Sequence, residues 1–103
     1  MPSFHVEVTH QLGAAEAQRR LENFVADVQQ RFADRVSEVS GAWNANVLDF
    51  SMKSFGMTFS GKIFVEDDRV RVEGQMPFAA IAFRGRIEQE IAQALTQVLN
   101  SSQ

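Results

Sequence analysis

Residues able to do chemistry are few in this 103-residue chain, and their spacing suits it poorly. His5 and His10 supply its imidazole bases. Five residues apart across a strand and its exit, they point in opposite directions and cannot share a metal or a substrate. Both are expected on solvent faces. Cysteine is absent, which removes thiolate nucleophiles, thiolate metal sites and disulfides. Glu66, Asp67 and Asp68 form an acidic run without the alternating ligand spacing of a calcium loop, so they read as a solvated hairpin tip. Gly61, Gly74 and Gly85 lack the strand–glycine–helix order that cradles phosphate. Every nucleophile–base pairing that can be assembled lacks one member. The chain is therefore expected not to be an enzyme, and to need neither cofactor nor metal.

Composition narrows the class further. With 45% hydrophobic and 22% charged residues, the chain reads as a single globular domain over residues 1–103. A net charge of −3, with ten basic residues scattered among thirteen acids, argues against nucleic acid as a partner. The start, MPSFHVEVTHQL, has no basic segment followed by an apolar run, and no stretch approaches the roughly 18 apolar residues of a membrane span. The expected setting is cytoplasmic, with no transmembrane segment.

The elements that would position these residues follow from periodicity. Phe4, Val6 and Val8 alternate with His5, Glu7 and Thr9, the period of a half-buried strand. Ala17, Leu21, Phe24, Val25, Val28, Phe32 and Val36 then recur at three and four residues, which predicts one long helix over 14–37, with Gly13 at its start and Ser40-Gly41 closing its exit. Four antiparallel strands follow. A tight turn at Ala45-Asn46 sets Trp43 opposite Leu48, Gly41 opposite Phe50 and Val39 opposite Met52. A second at Asp67-Asp68 sets Val65 opposite Val70, Ile63 opposite Val72, Gly61 opposite Gly74 and Phe59 opposite Met76, and Lys53-Ser54-Phe55-Gly56 turns the chain between the two hairpins. A one-residue slip would destroy both patterns. Pro77 ends the last strand, and Ile87, Ile91, Ala94, Leu95 and Val98 mark a second helix over about 80–100. The expected fold is α+β: one antiparallel sheet, in the order β-α-β-β-β-β-α, with two helices on one face. This layout resembles a reduced helix-grip fold.

Nearly the whole chain also resembles the polyhydroxyalkanoic acid system protein family. The resemblance is carried by Trp43 with the hairpin leading to Leu48 and Phe50, by Gly61-Lys62-Ile63-Phe64-Val65, and by Asp67-Asp68 before Val70-Arg71-Val72. Gly85-Arg86-Ile87-Glu88 with Ile91 belongs to it, as does His10-Gln11-Leu12 ahead of Ala17, Arg19 and Arg20. Ala45-Asn46 departs from the Gly-Asp type of turn expected there. The resemblance implies a bacterial accessory role in polyhydroxyalkanoate storage, at the granule surface or with a regulatory partner, and brings no catalytic motif.

Two features could serve such a role. Met76-Pro77-Phe78-Ala79-Ala80-Ile81-Ala82-Phe83 is an uncharged run of which an amphipathic helix can bury only one side. With Ala80, Phe83 and Ile87 turned inward, Phe78, Ile81 and Ala82 remain, and Phe55, Met57 and Met76 would extend an apolar interface; the run serves either as a dimer interface or local core, or as contact with an apolar ligand or the polymer. The alternative is a pocket between the long helix and the sheet, lined by Trp43, Phe50, Gly61 and Gly74, as in a carrier of small lipid-like molecules. A purely structural homodimer module is the third reading.

Overall fold

Two-residue periodicity on five segments builds the sheet of the computed structural model, which describes residues 2–31 and 33–100, the side chains of residues 25, 28 and 31 aside. The strands are β1 (Ser3–Thr9), β2 (Val36–Asn44), β3 (Val47–Ser54), β4 (Met57–Val65) and β5 (Arg69–Gln75), paired in the order β1-β5-β4-β3-β2. All neighbours are antiparallel. Between β1 and β2 lie α1 (Ala14–Leu21) and α2 (Phe24–Arg31); a 3-10 helix (Phe78–Phe83) and α3 (Arg84–Leu99) follow β5.

Alternation decides which face is dry. Phe4, Val6 and Val8 of β1, Val70 and Val72 of β5, Ile63 and Val65 of β4 and Leu48 of β3 share one face and are buried with Ala17 and Leu21 of α1 and Leu95 and Leu99 of α3. Each fully buried Leu, Val or Met contributes about 1.5–3 kcal/mol of transfer free energy. On the opposite face His5, Glu7, Lys62 and Glu73 are exposed, laced by ion pairs such as Lys62–Asp49 at 2.8 Å and Arg71–Glu66 at 2.9 Å. The Arg71 guanidinium lies 4.7 Å from the centre of the Phe64 ring and covers that outward-facing aromatic.

The expected register holds through most of both hairpins: Trp43 faces Leu48, Gly41 faces Phe50, Val65 faces Val70, Ile63 faces Val72 and Gly61 faces Gly74. Val39 does not face Met52. An irregularity between Ser37 and Ser40 shifts β2 by one residue, with Glu38 at φ 52, the positive-φ geometry of a bulge. Phe59 and Met76 also fall outside the ladder, because the β4–β5 pairing ends at Ser60 and Gln75 and the Met76 amide donates to the Pro2 carbonyl at 3.0 Å. The turn at Ala45-Asn46 forms despite its unusual residues. Ala45 takes φ 56, and Asn46 bridges to β4 by donating from Nδ2 to the Val65 carbonyl and accepting from the Val65 amide, at 2.8 and 3.0 Å.

The long helix expected over 14–37 is two helices and the start of a strand. α1 ends at Leu21, Glu22 and Asn23 form a turn, and Val36 already belongs to β2, so Ser40-Gly41 lies inside a strand and is no helix exit. Phe32 lies outside the described residues. The break has a packing cause: α1 lies against α3 and β4, whereas α2 lies against β2 at the far edge of the sheet. Sheets twist by about 20–25° per strand, so one straight helix cannot follow both contacts. The second helix also begins later than expected, at Arg84, after the 3-10 segment.

Candidate functional site

Local sequence gives the apolar run after β5 its shape. Pro77, with φ −69 and ψ 158, stops β5, and the Ala80 amide donates to the Pro77 carbonyl at 2.9 Å to open the 3-10 turns. A 3-10 helix repeats every three residues. Ala80 therefore points into the core while Phe78 and Ile81, three apart, share the outward stripe; they are 74% and 42% exposed. Phe83 is not inward as expected. It is the junction between the 3-10 helix and α3, with φ −108 and ψ 12, and the change of helix type leaves its ring 56% exposed. Ile87 is half-buried against the core.

Other members of the expected patch divide. Phe55 projects from the β3–β4 turn, 81% exposed, with φ 54 beside Gly56 at φ 76. That hairpin reaches five residues past the last β4–β5 pair, about 16 Å in extended chain. Met57 is half-buried against the core. Met76 is a correction: it is fully buried and anchors the start of the segment. The site thus consists of Phe78, Ile81 and Phe83, in a segment whose Met76 and Ala80 are buried in the core, with Phe55 at the hairpin tip on the same end of the sheet.

The pocket expected at Trp43, Phe50, Gly61 and Gly74 has no space at its glycines. A Cβ on Gly74 would stand 2.7 Å from both Phe4 Cε1 and the Ser60 carbonyl oxygen. One on Gly61 would meet the Glu73 carbonyl oxygen at 2.5 Å and Phe50 Cε1 at 3.1 Å. The Phe4 ring therefore fills the room that Gly74 leaves, the arrangement by which sheets compensate glycine, whereas at Gly61 the backbone of β5 is nearest and the Phe50 ring lies behind it. Trp43 and Phe50 are half-buried and lie against the core.

His10 is the second correction. It continues the inward parity of Phe4, Val6 and Val8 and is 5% exposed, whereas His5 lies on the solvent face. Nδ1 of His10 accepts from the Leu12 amide at 3.1 Å, which leaves Nε2 to donate to the Glu66 carbonyl at 3.0 Å. Both nitrogens are thereby used in tying the exit of β1 to the β4–β5 hairpin. Asp67, at that hairpin's tip, accepts from the Ala14 amide at 3.2 Å and so caps the start of α1. Among the described residues no three His, Asp or Glu side chains come together as metal ligands. The strongest carboxylate perturbation is at Glu16, held at about 2 by hydrogen bonds from the Arg19 and Arg20 guanidiniums on the surface of α1. It belongs to a helix-surface ion pair rather than to a cleft.

What the geometry presents is an apolar surface on a fixed platform. The model of the polyhydroxyalkanoic acid system proteins matches residues 4–99. The chain belongs to that family. No curated protein matches it. Among solved structures it is similar to DynU16, a protein of the dynemicin biosynthetic locus, with a TM-score of 0.67 and 13% identity, covering 98% of this chain and 48% of that one. This polyhydroxyalkanoic acid system protein thus spans about half the length of DynU16. Ara h 8.0201 is also similar, with a TM-score of 0.46 and 10% identity over 98% of this chain and 99% of that one. The likeness to DynU16 concerns the fold alone, a reduced helix-grip. Among the described residues no helix is long and apolar enough to cross a membrane.

Proposed function

We propose that this polyhydroxyalkanoic acid system protein is a non-enzymatic accessory of polyhydroxyalkanoate storage that adsorbs to the granule surface through the Phe78–Phe83 segment. The observation that carries the reading is the exposure of large apolar side chains in one short segment: Phe78 is 74% and Phe83 56% exposed, while Met76 and Ala80 of the same run are fully buried. Solvent-facing rings on an immobilised platform are costly unless a partner covers them. The family supplies the setting, and the polymer is an apolar polyester of matching chemistry.

The test is adsorption to purified polyhydroxyalkanoate granules, parent against Phe78→Ser with Ile81→Ser. The parent should sediment with granules and the double variant should remain in the supernatant, with little change in its denaturation midpoint because surface substitutions act within about 0.5 kcal/mol. A parent that stays in solution would remove the reading.

A further inference from the structure

Basic charge and apolar surface coincide at one end of the molecule. From Gly74 to Ile87 the sequence contains Arg84 and Arg86 and no acid, a local charge of +2 in a chain of −3, so the remainder carries −5. Arg84 opens α3 immediately after the 3-10 helix, one residue beyond the exposed Phe83, and Arg86 follows two residues later. Both arginines are exposed. Among the described residues Arg84 is in no ion pair, and Arg86 reaches Glu90 only at 3.5 Å across two exposed side chains. Glu88, the first acid after the segment, accepts from the His5 amide at 2.8 Å and so faces the edge of β1.

From this charge complementarity we infer that the surface this site recognises is an anionic lipid layer, with Phe78, Ile81 and Phe83 entering the acyl region and Arg84 and Arg86 meeting the headgroups. Exposed apolar side chains adjoined in sequence by exposed guanidiniums match a lipid interface, which offers an apolar layer beneath anionic headgroups. A bare polyester offers the guanidiniums ester carbonyls but no anionic partner. The remainder of the chain carries a net −5, so an anionic layer repels it as a whole and favours an approach through this segment. The inference rests on the granule-surface reading for its setting and adds the chemistry of that surface.

Full-length protein is mixed with phosphatidylcholine vesicles, with phosphatidylcholine–phosphatidylglycerol vesicles, and with lipid-free polyester particles. The parent should prefer the anionic vesicles. Arg84→Gln with Arg86→Gln should lose roughly 30-fold in affinity for them, the amount expected for two basic side chains near an anionic surface, and keep its binding to neutral vesicles. Salt on the order of 1 M, where the Debye length is about 3 Å, should bring the parent down to the variant. Phe78→Ser with Phe83→Ser should lose both vesicle types at unchanged circular dichroism. Equal binding of the parent to the two vesicles, or of parent and arginine variant to the anionic one, overturns the inference. If lipid-free particles still take up the parent, the granule reading survives it; if no surface takes up the parent, both fall.

Discussion

Placing a methyl group on Gly74 tests the sheet more sharply than any deletion would, because the expected sign is unusual. In a strand interior, alanine in place of glycine ordinarily stabilises by about 0.4–1 kcal/mol through the unfolded chain. Here the new Cβ would stand 2.7 Å from Phe4 Cε1 and from the Ser60 carbonyl oxygen, closer than carbon can approach either. Overpacking of this kind costs about 1–3 kcal/mol. Gly74→Ala should therefore lower stability by about 2 kcal/mol, or roughly 10 °C in melting temperature for a domain of this size. Phe4→Leu alone should cost about 1–2 kcal/mol for the lost ring. Combined, the two should cost less than their sum by about 1 kcal/mol, since the shorter side chain vacates part of the space. The Ser60 carbonyl stays in place, so relief should be incomplete.

Gly61 supplies the control. Its added Cβ would meet backbone first, the Glu73 oxygen at 2.5 Å and the Gly74 Cα at 2.6 Å, with Phe50 only third. Gly61→Ala should thus be destabilising and nearly additive with Phe50→Leu, within about 0.5 kcal/mol. Urea denaturation of the two cycles measures all of this. A Gly74→Ala protein as stable as the parent, or additivity with Phe4→Leu, would refute the claim that the Phe4 ring fills the space at Gly74.

His10→Ala leaves the Leu12 amide and the Glu66 carbonyl without their partner, and should cost about 2–3 kcal/mol by urea denaturation. Trp43→Ala should cost about 2 kcal/mol, below the 3–5 expected of a fully buried aromatic because Trp43 is half-buried; calorimetry checks it. Glu16, held at about 2 against its usual 4.5, contributes stability that is present above pH 4.5 and is lost as pH falls toward 2. Glu16→Gln should flatten that stretch of an acid titration followed by circular dichroism, and the difference should shrink in salt because the pair faces water.

Strand register was legible because two constraints act on it at once, inward parity and turn position, and residues such as Ile63 and Leu48 satisfy both. Helix continuity was not. Ala17, Leu21 and Phe24 keep helical spacing across Glu22-Asn23, and nothing local shows that α1 and α2 serve different parts of a twisted sheet. Val36 fits a helix stripe and a strand edge equally well. At the candidate site, the outward positions of Phe78 and Ile81 follow from Pro77 and the apolar run, but Phe83 and Met76 exchanged roles. The segment changes from 3-10 to α-helix at Phe83, which turns that ring outward, and Met76 precedes Pro77 at the end of β5 and is buried in the core. The burial of His10 was readable: it has the parity of Phe4, Val6 and Val8, a signal outweighed by its place at the strand exit.

The rigidity of the platform bears on how strongly so small a patch can act. A flexible apolar loop would lose about 0.5–1.5 kcal/mol for each side chain immobilised on binding, and backbone freedom besides. In this fold Met76 is held by the core and by its hydrogen bond to Pro2, Ala80 is buried, and α3 continues from Arg84 into Leu95 and Leu99 at the core. Folding has already fixed the backbone beneath Phe78, Ile81 and Phe83, so little ordering remains to oppose adsorption. On the proposed reading, three side chains on this backbone would adsorb more strongly than the same residues on a mobile loop. It also follows that damage to Met76 or Ala80 would weaken adsorption without touching the surface, by returning that ordering cost to the binding step.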